Sequence, residues 1–456
     1  MPKPIIAIDI SLTLTNNFNG IANVTRKVRE AFNKDDRFTV INAYFHPQNA
    51  TYYVIEGDDI YIQNQRIKAN IEYFFRLLIL MLLGTTKQRR RNKLRKCFYY
   101  AELQKDILLK PFINFIEFYA KCIKNFKKPS SLPTKQIDIK LLKKLDFSKI
   151  DGFFFSGFGT PFLQTIVENK KKYSFLFGVI ISDIIAIRYP QYFTQNIVND
   201  FNPYLMHCLN GADYIVTDSK YVKDDLTNFI KENGYNFNAK NITSVALATD
   251  KTTEIPQEIQ EEVFKKYNIT PNKYATIICT LEPRKNHKLL FDIWRKMYVN
   301  NPDMVIPLVI CGGYGWLIEK LLNEYDSDPI LQKFIILAGS VTNDEKYTIL
   351  KNARFSLFPS HCEGWGMPIT ESLQVGTPVI SADNSSLPEA GHYITKTINN
   401  NDFDKWYNTI VEYINNDEVV KHEREKIANT KLRTWEDFDK EITDIAFTNL
   451  LSFNSR

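Results

Sequence analysis

Two carboxylates, Glu363 and Glu371, flank the run Gly364-Trp365-Gly366-Met367-Pro368 and stand eight residues apart. Glu363 falls in a glycine-rich turn that follows an apolar run. Glu371 falls inside the helix that this turn opens. Gly364 and Gly366 permit tight backbone geometry and leave amide N–H groups unspent, and Pro368 suits a first helical turn. A helix start with open N–H groups and a positive dipole end attracts a phosphate or a sugar oxygen. A plain turn with two solvated glutamates is the competing reading. The agreement of glycines, proline and helix placement favours chemistry.

A second group is Thr280-Leu-Glu-Pro-Arg284-Lys285-Asn-His287, between an apolar run and a helical pattern. At the carboxyl edge of a parallel sheet, Arg284 can clamp two oxygens and Lys285 can act as a point charge, as a diphosphate requires. A solvated basic turn with an Arg284–Glu282 pair would read the same way. Gly312-Gly313 ends the next apolar run. Near the start, Gly20 sits at a strand-to-helix turn, where a ligand can approach backbone closely.

These groups need a scaffold of alternating strands and helices. The sequence predicts strands at Ile5–Ile10, Gly152–Phe155, Phe175–Ile181, Asp213–Asp218 and Ile242–Leu247, with helices over Ile21–Phe32 and Lys220–Ile230. After a polar linker at Thr249–Pro256 the rhythm resumes. Strands are predicted at Tyr274–Cys279, Pro307–Cys311, Phe334–Ala338, Phe355–Phe358 and Pro378–Ser381. Helices are predicted over Asn286–Val299, Trp316–Tyr325, Asp344–Ala353, Pro368–Val375 and Leu432–Leu450. The alternation implies an α/β protein with parallel sheets in two Rossmann-like domains. Their expected extents are 1–250 and 251–430, with a helix over 431–456 packing back on the first.

Composition agrees with a globular chain. There are 456 residues, 44% hydrophobic and 24% charged, which suits two or three domains. The six cysteines show no C-x-x-C pair or zinc-ligand spacing, so a disulfide framework and a structural zinc are not expected. The N-terminus reads as a strand rather than a signal peptide, and no run reaches the ~20 apolar residues of a spanning helix. A cytoplasmic protein is expected. Charge is uneven: residues 71–145 hold 18 Lys and Arg against 5 Asp and Glu, leaving 40 basic and 47 acidic residues elsewhere. That segment joins the apolar stretch Leu77–Leu83 to seven basic residues between Lys87 and Lys96. We expect a helical insertion in the first domain that could lie on the inner face of an anionic membrane, at about 1 kcal/mol per basic residue. A hairpin packed on the domain is the alternative, and nucleic acid the lesser partner.

Taken together, the Glu-Pro-Arg-Lys-Asn motif, the Gly-Gly pair, the E-x7-E motif and Gly376-Thr-Pro-Val-Ile-Ser resemble family 4 of the retaining glycosyltransferases. Weaker matches follow at Gly20-Ile21, Asp183-Ile-Ile-Ala-Ile-Arg-Tyr-Pro190, Ala212-Asp-Tyr-Ile-Val-Thr-Asp-Ser219 and Ser385-Ser-Leu-Pro-Glu389. The resemblance spans both domains but not residues 71–145. It implies the GT-B fold, with a nucleoside-diphosphate sugar in the cleft between domains. It assigns catalytic roles to Glu363, Arg284, Lys285 and Asp183. It assigns donor contacts to Gly20, Thr280, Arg284, Lys285, Gly312, Glu363, Gly364, Trp365, Gly366, Met367 and Glu371. Arg284 and Lys285 would neutralise the diphosphate, Glu371 would take the ribose, and Glu363 the sugar hydroxyls. No metal and no cofactor beyond the donor are expected. The donor would be GDP-mannose first, then dTDP-rhamnose or UDP-glucose. The acceptor, a glycan or lipid-linked molecule, would bind near Gly20. Three positions depart from the family pattern: Ser182 replaces a common His, Asn23 a common Arg, and Cys279 a common Gly. A GT-B sugar-nucleotide epimerase and an inactive scaffold are the other readings.

Overall fold

The computed structural model describes residues 2–14, 20–55, 142–250 and 254–455. The basic, apolar segment from 71 therefore lies outside the described residues up to 141.

The first lobe is a seven-stranded sheet. Its strands are β1 (Ile5–Asp9), β2 (Thr39–His46), β3 (Thr51–Val54), β4 (Gly152–Phe155), β5 (Leu176–Ile181), β6 (Tyr214–Thr217) and β7 (Ile242–Ser244), ordered β3-β2-β1-β4-β5-β6-β7. All neighbours are parallel except β3, which returns antiparallel on β2 at the edge. The central runs Phe-Phe-Phe of β4 and Val-Ile-Ile of β5 are buried throughout. That is the pattern of parallel strands covered by helices on both faces. Helix Gly20–Lys34 covers one face, burying Val24, Val28, Ala31 and Phe32 at helical spacing.

The second lobe is a six-stranded sheet. It comprises β8 (Ala275–Ile278), β9 (Leu308–Cys311), β10 (Ile335–Gly339), β11 (Phe355–Phe358), β12 (Val379–Ala382) and β13 (Lys396–Ile398). The order is β10-β9-β8-β11-β12-β13, and every pair is parallel. In both sheets the order reverses at the innermost early strand, β1 or β8. Ligands of open α/β sheets bind beyond the carboxyl ends of the strands at that reversal. The lobe's largest fully buried side chains, Trp294 and Trp406, each remove about 150–250 Å² from water, roughly 4–6 kcal/mol of gross hydrophobic stabilisation.

The last helix, Trp435–Asn454, starts with a capping box of Thr434 and Asp437 and packs on Gly20–Lys34 of the first lobe. Lys34 reaches Asp439 at 2.8 Å, and the ring of Phe38 meets that of Phe447 edge-on at 5.8 Å. One apolar cluster thus runs from Ile8, Val28 and Phe32 beneath Phe438 and Leu450 into Trp294 and Leu357 of the second lobe.

The helix expected from Trp316 begins at Glu319. Leu317 takes a left-handed φ of 55°, so Trp316 sits in a turn and its indole donates to the Tyr192 carbonyl of the first lobe at 2.8 Å.

Candidate functional site

The carboxyl ends of β8 and β11 bring the two sequence motifs together. After β8 the chain makes one helical turn at Pro283–Lys285, stopped by Asn286 at φ 55°. After β11 it enters the turn that carries Glu363. The Glu363 carboxylate sits between two cations: Arg284 Nη1 at 2.5 Å on Oε2 and Lys285 Nζ at 2.6 Å on Oε1. Arg284 also donates through Nη2 to Glu282 at 2.7 Å and through Nη1 to the Cys362 carbonyl at 2.8 Å. Glu363 is 8% exposed and Glu282 4%. Two cations and two carboxylates are therefore taken out of water as a balanced cluster, the condition under which buried charge is tolerated.

The carboxyls respond accordingly. Burial alone would raise Glu363, but the charges of Arg284 and Lys285 outweigh it and bring it down to about 2, helped by the Ser360 hydroxyl. Burial would lower Arg284, and the charges of Glu363 and Glu282 hold it raised instead. Beneath them His287 is 2% exposed, and burial, then the Lys285 charge, push its imidazole down to about 3. It is neutral, with Nε2 at 3.4 Å from Cys279 Sγ.

The turn after Glu363 leads into helix Met367–Gln374, whose cap residue Gly366 has a left-handed φ of 118°. Among the described residues nothing accepts from the backbone N–H groups of Gly364, Trp365, Gly366 and Met367. They form a row of donors at a helix N-terminus. The Trp365 side chain is buried, its indole donating to Thr370 Oγ1 at 3.2 Å. Only its backbone belongs to the row.

The first lobe meets this turn closely. A Cβ on Gly364 would lie 2.3 Å from the Ser182 carbonyl and 3.1 Å from the Asp183 Cβ, so glycine there is what lets the lobes approach. Asp183 follows β5 and accepts from the Ile185 N–H at 3.0 Å. Burial raises its carboxyl, and the Arg284 charge opposes the rise. Behind it Asp218, 4% exposed, is pushed up to about 7 by burial, held back by the Ser182 hydroxyl and raised further by Asp183. Ser182, at the position of the common His, is thus engaged with Asp218.

The remaining expected residues are more dispersed. Glu371 points to a separate partner, Lys346, at 2.7 Å. Thr280 is exposed at the end of β8, and Gly312 follows β9 with its N–H on the Gly339 carbonyl at 2.7 Å. Gly20 is exposed at the start of its helix, with nothing within 4 Å of a Cβ there. Among the described residues no hydrogen bond or ion pair joins Gly20, Thr280, Gly312 or Glu371 to the charged cluster.

Two participants, Lys346 and Ser360, had no signal at their own positions, and Ser219 lay in a matched segment that gave no hint of its partner. Lys346 lies 25 residues from Glu371 and Ser219 lies 145 from the Gly364 carbonyl it donates to. Only the folded chain reveals such partners.

With this geometry established, the chain can be set beside known proteins. Residues 259–431 match the family model of "Glycosyl transferases group 1". The O-antigen chain mannosyltransferase B of Escherichia coli is 28% identical over 209 residues, covering 45% of this chain and 53% of that protein. The serotype-specific mannosyltransferase WbdA of Escherichia coli is 23% identical over 230 residues, covering 49% of this chain and 28% of that protein. The match thus spans about half the length of the first and about a quarter of the second. Among solved structures, Anabaena Alr3699/HepE in complex with UDP aligns over 98% of this chain and 100% of its own, with a TM-score of 0.55 at 12% identity. The chain therefore has the GT-B fold, two facing Rossmann-like lobes, and its second lobe carries the pattern of glycosyl transferases group 1.

Proposed function

We propose that the protein is a retaining glycosyltransferase that moves a sugar from a nucleoside-diphosphate sugar to a glycan or lipid-linked acceptor in cell-surface polysaccharide synthesis. GDP-mannose is the first donor to test, since two matched relatives are named as mannosyltransferases. UDP-glucose and dTDP-rhamnose follow, and HepE was solved with UDP. The observation that carries the reading is the Arg284–Glu363–Lys285 cluster beside the four open N–H groups of Gly364–Met367, faced by Asp183.

In this reading the donor diphosphate takes Arg284 and Lys285 from Glu363. The freed Glu363 carboxylate then accepts from sugar hydroxyls, and the N–H row takes phosphate or sugar oxygens. Glu371 accepts from the ribose. The anomeric carbon's bond to the leaving oxygen breaks and its bond to the acceptor oxygen forms on the same face. The acceptor's proton passes to a departing phosphate oxygen. No covalent glycosyl-enzyme is formed, in contrast to retaining hydrolases with two flanking carboxylates. Positioning and neutralisation of the leaving group supply the acceleration, and Arg284 and Lys285 provide that charge without a metal. Residues 71–145 would hold the enzyme at an anionic membrane where a lipid-linked acceptor is presented.

The test is release of nucleoside diphosphate from GDP-mannose, UDP-glucose and dTDP-rhamnose, with the product's anomeric configuration read by NMR. Release that needs an acceptor, with configuration kept, supports the proposal. Conversion of donor without acceptor would mean an epimerase. Absence of nucleotide binding would mean a scaffold.

A further inference from the structure

The segment Ser385-Ser386-Leu-Pro-Glu389 has no part in the chemistry just described, yet it lies against both lobes. It follows β12 and bends at Ser385, which takes a left-handed φ of 50°. Ser385 Oγ accepts from the Glu363 N–H at 3.0 Å. Ser386 Oγ donates to the carbonyls of Trp365 at 2.6 Å and Glu363 at 2.9 Å. The two hydroxyls thus hold the backbone of the donor turn from behind.

Glu389 reaches the other way. Its Oε2 accepts from the Lys220 N–H at 2.9 Å and its Oε1 from the Tyr221 N–H at 2.8 Å. These are the first two amides of helix Lys220–Glu232 of the first lobe. The next, Val222 N–H, donates to the cap residue Ser219, whose Oγ in turn donates to the Gly364 carbonyl at 2.9 Å. Unsatisfied amides and a positive dipole end make such a helix start an anion site. Here a carboxylate of the opposite lobe fills it in both oxygens. A backbone–carboxylate pair of this kind is charge-assisted and directional, and it forms only at one relative placement of the lobes.

We propose that Glu389 is an interlobe positioning residue. Its carboxylate docks the N-terminus of helix Lys220–Glu232 onto the second lobe, and Ser385 and Ser386 pass that placement to the turn Glu363–Met367. The docking stands on its own contacts. Its effect on turnover rests on the donor reading above.

The test uses the full chain and the variants Glu389→Ala and Glu389→Gln. Amide hydrogen exchange is followed at the hydrogen-bonded amides of Lys220, Tyr221, Val222 and Glu363, which lie in the two joined segments, with β8 as the internal control. The Ala variant should exchange at least tenfold faster in both segments while β8 stays protected. Gln, which keeps an acceptor for one of the two amides, should fall between. With the sugar nucleotide that the wild type uses, kcat should drop at least tenfold in the Ala variant. KM for the donor should stay within about threefold, and Gln should recover part of the loss. Unchanged exchange at the Glu363 amide, or kcat and KM moving together, would overturn the proposal. Should the Ala variant not fold, the same comparisons between Gln and wild type decide it. Should the wild type use no sugar nucleotide, the donor reading fails, while the exchange data still settle the docking.

Discussion

Carboxylates on the two walls of the lobe interface behave oppositely. On the second lobe Glu363 is brought down to about 2, because Arg284 and Lys285 lie against it. On the first lobe burial raises Asp183, and it pushes Asp218 up to about 7. Glu363 and Asp218 are both more than nine-tenths buried. Burial therefore does not decide the outcome; the presence of a cation at hydrogen-bond distance does. One wall presents fixed charge, while on the other Asp218, at about 7, is close to half protonated at neutral pH.

The contrast can be broken most severely by Arg284→Ala. Glu363 and Glu282 then keep their burial with one cation fewer. Loss of one partner from a buried ionic cluster costs about 3–5 kcal/mol. Sugar transfer should fall by about 100-fold or more. Denaturant unfolding and initial rates check the two effects separately.

Asp218→Asn reverses the sign. A carboxyl whose folded pKa is about 7, against an ordinary 3.8, binds more protons folded than unfolded. It therefore removes stability as pH rises from about 4 to 7. The Asn variant should be more stable than wild type at pH 8, by up to about 4 kcal/mol at 1.36 kcal/mol per unit. The gain should vanish by pH 4. A Tm series across that range reads it directly.

Glu363→Gln sharpens the other wall. A carboxyl lowered from 4.5 to about 2 contributes stability above its ordinary pKa and loses it as pH falls toward 2. The contribution is about 3 kcal/mol. The wild type should lose that increment between pH 4.5 and 2, and the Gln variant should not. The acid limb of the stability curve would distinguish them.

The smallest effect is expected for Lys346→Met, which frees Glu371. Both side chains are mostly covered, at 18% and 14% exposure. A stability loss of about 1–2 kcal/mol is expected. Nucleoside-diphosphate affinity should change by a few-fold, measured by calorimetry with GDP and UDP.

The central strands and the motifs at their ends were readable from sequence because each rests on local pattern. Apolar runs such as Leu308–Cys311 suit buried strands, and Gly366-Met367-Pro368 suits the opening of a helix. Elements without such a pattern escaped. Strands β2 and β3 form a half-covered antiparallel edge, with burial alternating only in part. Helix Gln195–Gly211 carries Pro203 in its interior and ends on glycine, both of which read as interruption. Within the candidate site, Arg284, Lys285 and Glu363 come together because both motifs follow neighbouring strands. The bonds of Lys346 to Glu371 and of Glu389 to Lys220 were not legible in the sequence, since they depend on how helices and lobes dock.

The return of helix Trp435–Asn454 to the first lobe has a consequence for biosynthesis. Phe38, which packs on Phe447, and Arg37, which pairs with Asp444 at 2.8 Å, belong to a lobe whose last strand ends at Ser244. Their cover is translated only after the whole second lobe. At roughly 5–20 residues per second the delay is about 10–40 s. During that time the nascent first lobe carries an open apolar seam, while the second lobe can close on its own strands. The lobe made first is then the one completed last, and a ribosome stalled beyond residue 400 would display it unfinished.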